Sequence, residues 1–239
     1  MTLRYAIYFS PPPDDSLTEA SSRWLGRDAF SGTVFGPPTA LAMPAGEWQG
    51  LVRDPQRYGF HATLKAPFEL CEGQRETDLI EAFDNFAASK NAFNLPRIVI
   101  DQLGPFFALV PDIVYPPMQA FCASIVETFE PFRAPLSKVD IDRRHPDRLS
   151  NIQRDNLVRW GYPYVMDEFR FHMTLTGPVQ PARVSLVRRE LEQRFSQYNG
   201  HPLQIGGLAL FIETHRGAPF TVHRWQPLGT PEQNREILP

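Results

Sequence analysis

Cysteine is scarce in this chain of 239 residues, which contains only Cys71 and Cys122 and no C-x-x-C pair. The sequence therefore offers no disulfide framework. No apolar leader precedes the first charged residue, so nothing indicates secretion. We expect a protein of the reducing cytoplasm.

Long apolar runs are also missing. The most apolar stretch, RIVIDQLGPFFALVP, is interrupted by Asp, Gln, Gly and Pro. A membrane-spanning helix needs roughly 20 consecutive apolar residues. We expect a soluble protein without a membrane partner.

Positive charge is not in excess, since the formal net charge is −3 and the pI is about 6.1. Proteins that bind long nucleic acids usually present a basic surface. The balance argues against that partner, but it leaves open a local basic pocket or a short RNA end. A composition of 42% hydrophobic and 21% charged residues is typical of a globular protein with a sizeable core.

Strand and helix patterns alternate along the chain. LRYAIYFSP reads as a strand, and a helix follows that begins at Asp15 or Ser16 and ends at Gly26. Residues 31–56 are rich in glycine and proline, which predicts an irregular excursion, either a lid or an extra short strand. The later patterns predict four helices and two pairs of strands, at residues 76–90, 96–111, 117–132, 147–160, 181–195 and 203–225.

This order of elements predicts an α+β fold. We expect two pseudo-symmetric lobes of antiparallel sheet, with helices packed outside and a cleft between the lobes. The prediction is a single bilobal domain over residues 1–239, with a flexible tail at 227–239.

Two short segments share one unusual pattern. In GFHATLKAPF, residues 59–68, the strand period places His61, Thr63 and Lys65 on one face and apolar residues on the other. In FRFHMTLTGP, residues 169–178, Arg170, His172, Thr174 and Thr176 alternate with apolar residues in the same way. A single strand histidine is usually an inert, hydrogen-bonded residue, but core packing does not require His-x-Thr-Leu twice. The duplication favours a two-sided site.

Two histidines that flank one phosphorus atom can act as an acid and base pair, because an imidazole titrates near neutral pH. Thr63 and Thr174 would donate hydrogen bonds to phosphate oxygens, with Lys65 and Arg170 as cationic assistants. The histidines lack the accompanying ligands of a metal site. We therefore predict neither a metal nor another cofactor.

The duplicated H-x-T-hydrophobic motif resembles the two-histidine phosphoesterase superfamily, whose members hydrolyse or form cyclic and 2′,5′-type phosphoester bonds without a metal. That resemblance implies that His61 and His172 are the acid and base and that Thr63 and Thr174 clamp the phosphate. It does not assign acid and base individually. RYAIYFSPP, WLGRDAFSG, RYGFHATLKAPF, FRAPLS, WGYPY and FRFHMTLTGP are similar to one subgroup whose genes often neighbour those for phosphonate breakdown.

The expected function is a metal-independent phosphodiesterase for a small cyclic sugar phosphate or nucleotide, in phosphonate metabolism. A non-catalytic phosphometabolite-binding protein and an enzyme that processes RNA 2′,3′-cyclic phosphate ends remain alternatives. The sequence leaves the oligomeric state open.

A few other residues have two interpretations. Tyr5 and Tyr8 lie on opposite faces of the first strand, so at most one lines a pocket. Tyr162 and Tyr164 either form a pocket rim or pack a loop. Arg143, Arg144 and Arg148 either receive a second phosphate of the substrate or stay solvated, and we favour solvation.

Overall fold

The computed structural model describes residues 3–229. The strands within them are β1 (Arg4–Phe9), β2 (Ala62–Phe68), β3 (Phe93–Leu95), β4 (Ile98–Leu103), β5 (Phe106–Pro111), β6 (Met173–Thr174), β7 (Leu203–Ile205), β8 (Gly207–Glu213) and β9 (Thr221–Pro227). The helices are α1 (Ser16–Leu25), α2 (Ala45–Tyr58), α3 (Glu76–Ala88), α4 (Pro116–Thr128), α5 (Lys138–Asp142), α6 (Asn151–Trp160) and α7 (Val184–Arg194).

An antiparallel sheet of seven strands organises the molecule, in the order β4-β5-β6-β2-β1-β8-β9. A second sheet pairs β3 with β7. The predicted α+β class with an antiparallel sheet is confirmed.

Each half of the chain contributes a hairpin to the part of the large sheet that the other half begins. The β4–β5 hairpin comes from the first half of the chain, yet β5 pairs with β6 from the second half. The β8–β9 hairpin comes from the second half and extends β1 and β2 from the first. The halves meet between β2 and β6, the two histidine segments, through the pair Ala62–Met173. Each half of the sheet is therefore built from both halves of the chain.

The sheet has a helix-covered face and a cleft face. Tyr5, Ile7 and Phe9 of β1 enter the main core, to which α3, α4 and α7 contribute, while Ala6 and Tyr8 join a small cluster on the opposite face. This alternation follows from the two-residue period of a strand. It leaves Tyr8 beside the cleft and Tyr5 in the core. This agrees with the expectation that at most one of the two tyrosines lines a pocket.

Residues 31–56 do not form the predicted lid or strand throughout, because α2 occupies Ala45–Tyr58. Its buried residues, Trp48, Leu51, Val52 and Pro55, follow helical spacing, but the neighbouring glycines and prolines obscured that period. Before α2, Val34 makes only an isolated bridge with Arg27.

The second histidine segment is less regular than predicted. Only Met173 and Thr174 are in strand conformation, because both Leu175 and Thr176 donate their N–H groups to the carbonyl of Phe107. Residues Phe171, Met173 and Leu175 are nevertheless buried, as the alternation requires.

The predicted tail at 227–239 falls largely outside the described residues. Of its first three residues, Pro227 ends β9 and Leu228 is buried, and Gly229 donates its N–H to the carbonyl of Ala87. Among residues 3–229, no helix combines the length and the apolar character that crossing a membrane would require.

Candidate active site

The two histidine segments lie side by side, and their register determines which side chains meet. Ala62 of β2 pairs with Met173 of β6. One step along antiparallel strands to either side sets His61 opposite Thr174 and Thr63 opposite His172. The four side chains leave the sheet on the face opposite to the buried Ala62 and Met173. The histidines occupy one diagonal of this arrangement, and the expected distance between their Cα atoms is roughly 7 to 8 Å.

His61 is fixed by neighbouring residues of its own segment and by an aromatic side chain. Its Nδ1 lies 2.9 Å from the carbonyl oxygen of Gly59, and its Nε2 lies 3.3 Å from the hydroxyl of Thr63. The ring stacks on Tyr8 with 4.0 Å between centroids and 23° between planes. Burial lowers the pKa of His61 to about 4; the Gly59 hydrogen bond opposes this shift, and His172 adds to it.

His172 repeats the same anchoring. Its Nδ1 lies 2.8 Å from the carbonyl oxygen of Arg170, which is again two residues earlier in the chain. Phe106 packs at 5.9 Å between ring centroids. Burial lowers the pKa of His172, while the hydrogen bond to Arg170 opposes the shift.

The shared anchoring determines which ring nitrogen is available in the neutral state. A carbonyl oxygen can only accept, so Nδ1–H is the donor in both histidines. Nε2 of each neutral ring is then an unprotonated acceptor. Both imidazoles are therefore presented in the same tautomer.

The cleft consists of two adjoining cavities. One of about 310 Å³ is lined by His61, Thr63 and Thr174, and one of about 570 Å³ by Thr63, Arg170 and His172. Thr63 and Tyr162 line both, so the two cavities form one cleft with a histidine in each part.

Lys65 is not in this cleft, which corrects its predicted role beside the substrate. A β-bulge shifts the register between β1 and β2, so Thr63 faces Tyr8 whereas Lys65 faces Ile7 on the helix side. One extra residue reverses the side on which the following side chains emerge, until a second register shift between Lys65 and Phe68. Lys65 is 2% exposed, and its Nζ donates to the carbonyl of Val126 and pairs with Glu130 at 2.9 Å.

Arg170 and Thr176 end in different settings. Arg170 is exposed and lines the same cavity as His172. Thr176 is fully buried, and its hydroxyl accepts a hydrogen bond from the Phe107 N–H at 3.0 Å. Thr176 therefore supports β5 more than it serves the cleft.

Some cleft residues were missed or undervalued in the sequence. Tyr58, at the end of α2, lines the cavity of His61, and no pattern marks it. Tyr162 lines both cavities, and the guanidinium of Arg144 lies 4.9 Å from its ring centroid. The sequence favours a solvated cluster for Arg144, because residue spacing along the chain does not show which loop returns to the sheet.

The fold and the cleft define an α+β protein that presents two histidine–threonine pairs on one face of an antiparallel sheet. The chain belongs to the family described as "Protein of unknown function (DUF1045)", whose model matches residues 63–221.

Two curated relatives are named "Ribose 1,5-bisphosphate phosphokinase PhnN". The protein from Janthinobacterium sp. (strain Marseille) is 36% identical over 227 residues, covering 93% of this chain and 50% of the relative. The one from Laribacter hongkongensis (strain HLHK9) is 32% identical over 228 residues, covering 93% and 51%. The chain thus spans about half the length of the curated relatives it matches.

Two solved structures are similar at lower levels. A structure titled "Crystal structure of phosphoesterase" has a TM-score of 0.42 and 12% identity, covering 95% of this chain and 99% of that one. E. coli LigT complexed with 3′-AMP has a TM-score of 0.43 and 10% identity, covering 96% and 100%. These scores are too low to support a conclusion about fold or activity.

Proposed function

We propose that the protein is a phosphodiesterase that hydrolyses a small cyclic phosphodiester, such as a cyclic sugar phosphate or nucleotide. One observation carries the proposal: the register that sets His61 opposite Thr174 and Thr63 opposite His172 on one open face of the sheet. A phosphoryl group placed between the diagonal histidines meets an imidazole on each side and a hydroxyl at each remaining corner.

The reaction is an in-line hydrolysis. One histidine Nε2 takes a proton from water as the water oxygen bonds to phosphorus. The bond from phosphorus to one ring oxygen breaks, and the other histidine gives its Nε2 proton to that oxygen. The product is a phosphate monoester, and exchange with solvent restores both histidines.

The environments favour His61 as the base and His172 as the acid. The base must begin unprotonated, and burial lowers the pKa of His61, whose ring stacks on Tyr8, to about 4. The acid must begin protonated, and the ring of His172 is less closely covered, since the Phe106 centroid lies 5.9 Å from it whereas the Tyr8 centroid lies 4.0 Å from that of His61. An anionic substrate raises the pKa of both rings when it binds.

Charge on the phosphoryl oxygens meets several donors. The hydroxyls of Thr63 and Thr174 lie at the remaining corners of the arrangement. Arg170 lines the cavity of His172, and Arg144 lines the cavity of His61. Guanidinium groups stabilise such charge electrostatically.

The biological setting we propose is phosphonate metabolism, which the subgroup resemblance implies. The relatives' name concerns a kinase of ribose 1,5-bisphosphate. No lysine of this chain follows a glycine, so the chain has no G-x-x-x-x-G-K-[ST] phosphate loop. The activity proposed for this chain therefore rests on the histidine segments and not on the relatives' name.

The test is hydrolysis of 2′,3′-cyclic AMP by the wild-type chain and by His61→Ala and His172→Ala. We expect each substitution to lower kcat by about 10² to 10⁴. His201→Ala is the matched control, because His201 is exposed and lines neither cavity. Equal losses in all three variants, or no loss in any, would contradict the proposal.

The same assay separates the alternatives. Binding of 2′,3′-cyclic AMP without turnover would indicate a phosphometabolite-binding protein. Turnover confined to RNA oligomers that end in a 2′,3′-cyclic phosphate would indicate an RNA end-processing enzyme. Activity abolished by EDTA and restored by zinc would exclude the metal-independent mechanism.

A further inference from the structure

A third cavity, of about 530 Å³, adjoins the cavity of His61. The two share Arg4, Tyr58, Pro67 and Arg144 in their walls. A molecule whose phosphodiester lies between the histidines can therefore extend into this third cavity. We call it the arginine compartment.

Arginines dominate the walls of the arginine compartment. Those lining it are Arg4, Arg57, Arg143, Arg144 and Arg216. The carboxylates that line it or bind these arginines are Glu69, Asp140 and Glu213. Five guanidinium groups against three carboxylates leave an excess of two positive charges.

The compartment is held in shape by ion pairs. Glu213 is fully buried and binds both Arg4 and Arg57, and its second oxygen also accepts the Gly217 N–H at 3.0 Å. Burial opposes ionisation of Glu213, but the arginines and Gly217 outweigh it and lower its pKa. Arg216 is fixed by Glu69 at 2.9 Å and Asp140 at 2.6 Å.

Arg143 and Arg144 account for the excess charge. Within residues 3–229 no carboxylate forms an ion pair with either of them, although both line the compartment. Arg148, four residues after Arg144, is also exposed but lines neither this cavity nor those of the histidines. The structure thus divides the basic cluster into two arginines at the compartment and one outside it.

We propose that the arginine compartment binds a second phosphate of the substrate, so that the substrate class is a small cyclic phosphodiester that also carries a distal phosphate monoester. This inference rests on the proposed function. A monoester carries about −1.5 to −2 charges at pH 7, which matches the excess of two. Planar guanidinium groups bind phosphate oxygens in pairs, which gives specificity as well as affinity.

The test compares binding of 2′,3′-cyclic AMP with binding of the same nucleotide carrying a 5′-phosphate. Titration calorimetry uses the His61→Ala chain, in which the slowed turnover leaves the probes largely intact during a titration; His172→Ala serves as a second background. We expect the 5′-phosphorylated probe to bind at least about tenfold more tightly.

Arg143→Gln combined with Arg144→Gln removes the charge but keeps side-chain bulk, and should reduce this preference to about threefold or less. Arg148→Gln removes one positive charge from the same segment, outside the compartment, and should leave the preference unchanged. Equal affinity for both probes, no binding of either, or an equal loss with Arg148→Gln would overturn the proposal. The readout is binding, so it is independent of turnover. If the wild-type chain shows this preference but hydrolyses neither probe, the proposed phosphodiesterase activity is refuted and the second phosphate site is not.

Discussion

At the scale of single residues, the two histidines show the same local device. Each imidazole is held by the carbonyl two residues before it, Gly59 in one case and Arg170 in the other. Both carbonyls belong to the backbone just before the regular strands β2 and β6 begin, so the anchor is local to each motif. Their surroundings then differentiate them, since Tyr8 covers one ring and Phe106 touches the other.

The first prediction is the pH dependence of kcat/KM for 2′,3′-cyclic AMP. The rate rises as the base loses its proton near pH 4, and it falls as the acid loses its proton below the ordinary histidine value of 6.5. We expect a bell with its maximum between these limits. His172→Ala should remove the alkaline limb, and a maximum above pH 7.5 would contradict the assignment. The other charged or titratable side chains lining the two cavities are Arg4, Tyr8, Asp54, Tyr58, Arg144, Tyr162, Tyr164, Glu168 and Arg170.

The second prediction separates the two cations that the motifs place beside the histidines. Lys65→Met should leave kcat/KM within about threefold of wild type, because Lys65 faces the helices and Glu130 keeps its ion pair with Arg133. Arg170→Met should lower it roughly tenfold or more, because a charged hydrogen bond contributes about 1.5 to 3 kcal/mol. Steady-state kinetics would measure kcat/KM for both variants. A larger loss of kcat/KM for Lys65→Met than for Arg170→Met would contradict the placement of Lys65 outside the cleft.

At the scale of elements, a proline inside a helix positions the second motif. Pro55 has no N–H to donate, so the carbonyl of Leu51 one turn earlier is open. The N–H of Gly177 donates to it at 2.5 Å, directly after the second histidine segment. The indole of Trp24 adds a bond at 2.7 Å to the carbonyl of Leu175. Helices α1 and α2 thus compensate for the short ladder of β6.

The third prediction concerns this contact. A Cβ at Gly177 would lie 3.2 Å from the Leu51 oxygen, so Gly177→Ala should lower stability by about 1 to 3 kcal/mol and reduce turnover. Gly50→Ala is the control, because Gly50 lies in α2 next to Leu51 and its Cβ would meet nothing within 4 Å. It should raise stability by about 0.5 to 1 kcal/mol. Chemical denaturation and the cyclic AMP assay would measure both variants, and a Gly177→Ala chain as stable and active as wild type would contradict the role of this contact.

At the scale of the whole molecule, hairpin exchange makes the site depend on both halves of the chain. Strand β6 lies between β5 and β2, so the second histidine segment separates strands that precede it in sequence. Glu213 of β8 likewise joins Arg4 of β1 to Arg57 of α2. The cleft and the arginine compartment are therefore products of the complete sheet.

The fourth prediction follows from this exchange. A fragment of residues 1–115 contains β1, β2, β4 and β5 but lacks the β6 and β8 strands that pair with them. We expect it to show no cooperative thermal unfolding by circular dichroism, since its unpaired edges and apolar faces are exposed. Co-expression with residues 116–239 should restore a cooperative transition. A stably folded fragment would indicate lobes that are sequential in the chain.

The sequence by itself determined the α+β class and the duplicated motif. It also indicated most helices and strands, because these depend on local periods and on caps such as Asp15 and Gly26 of α1. Only the tertiary structure decided that a bulge turns Lys65 away from the cleft, that α2 forms around its proline, and that Arg144 lines the cavity of His61. The physical reason is that backbone periodicity fixes how side chains alternate within a segment, whereas register, burial and charge balance depend on partners far away in the chain.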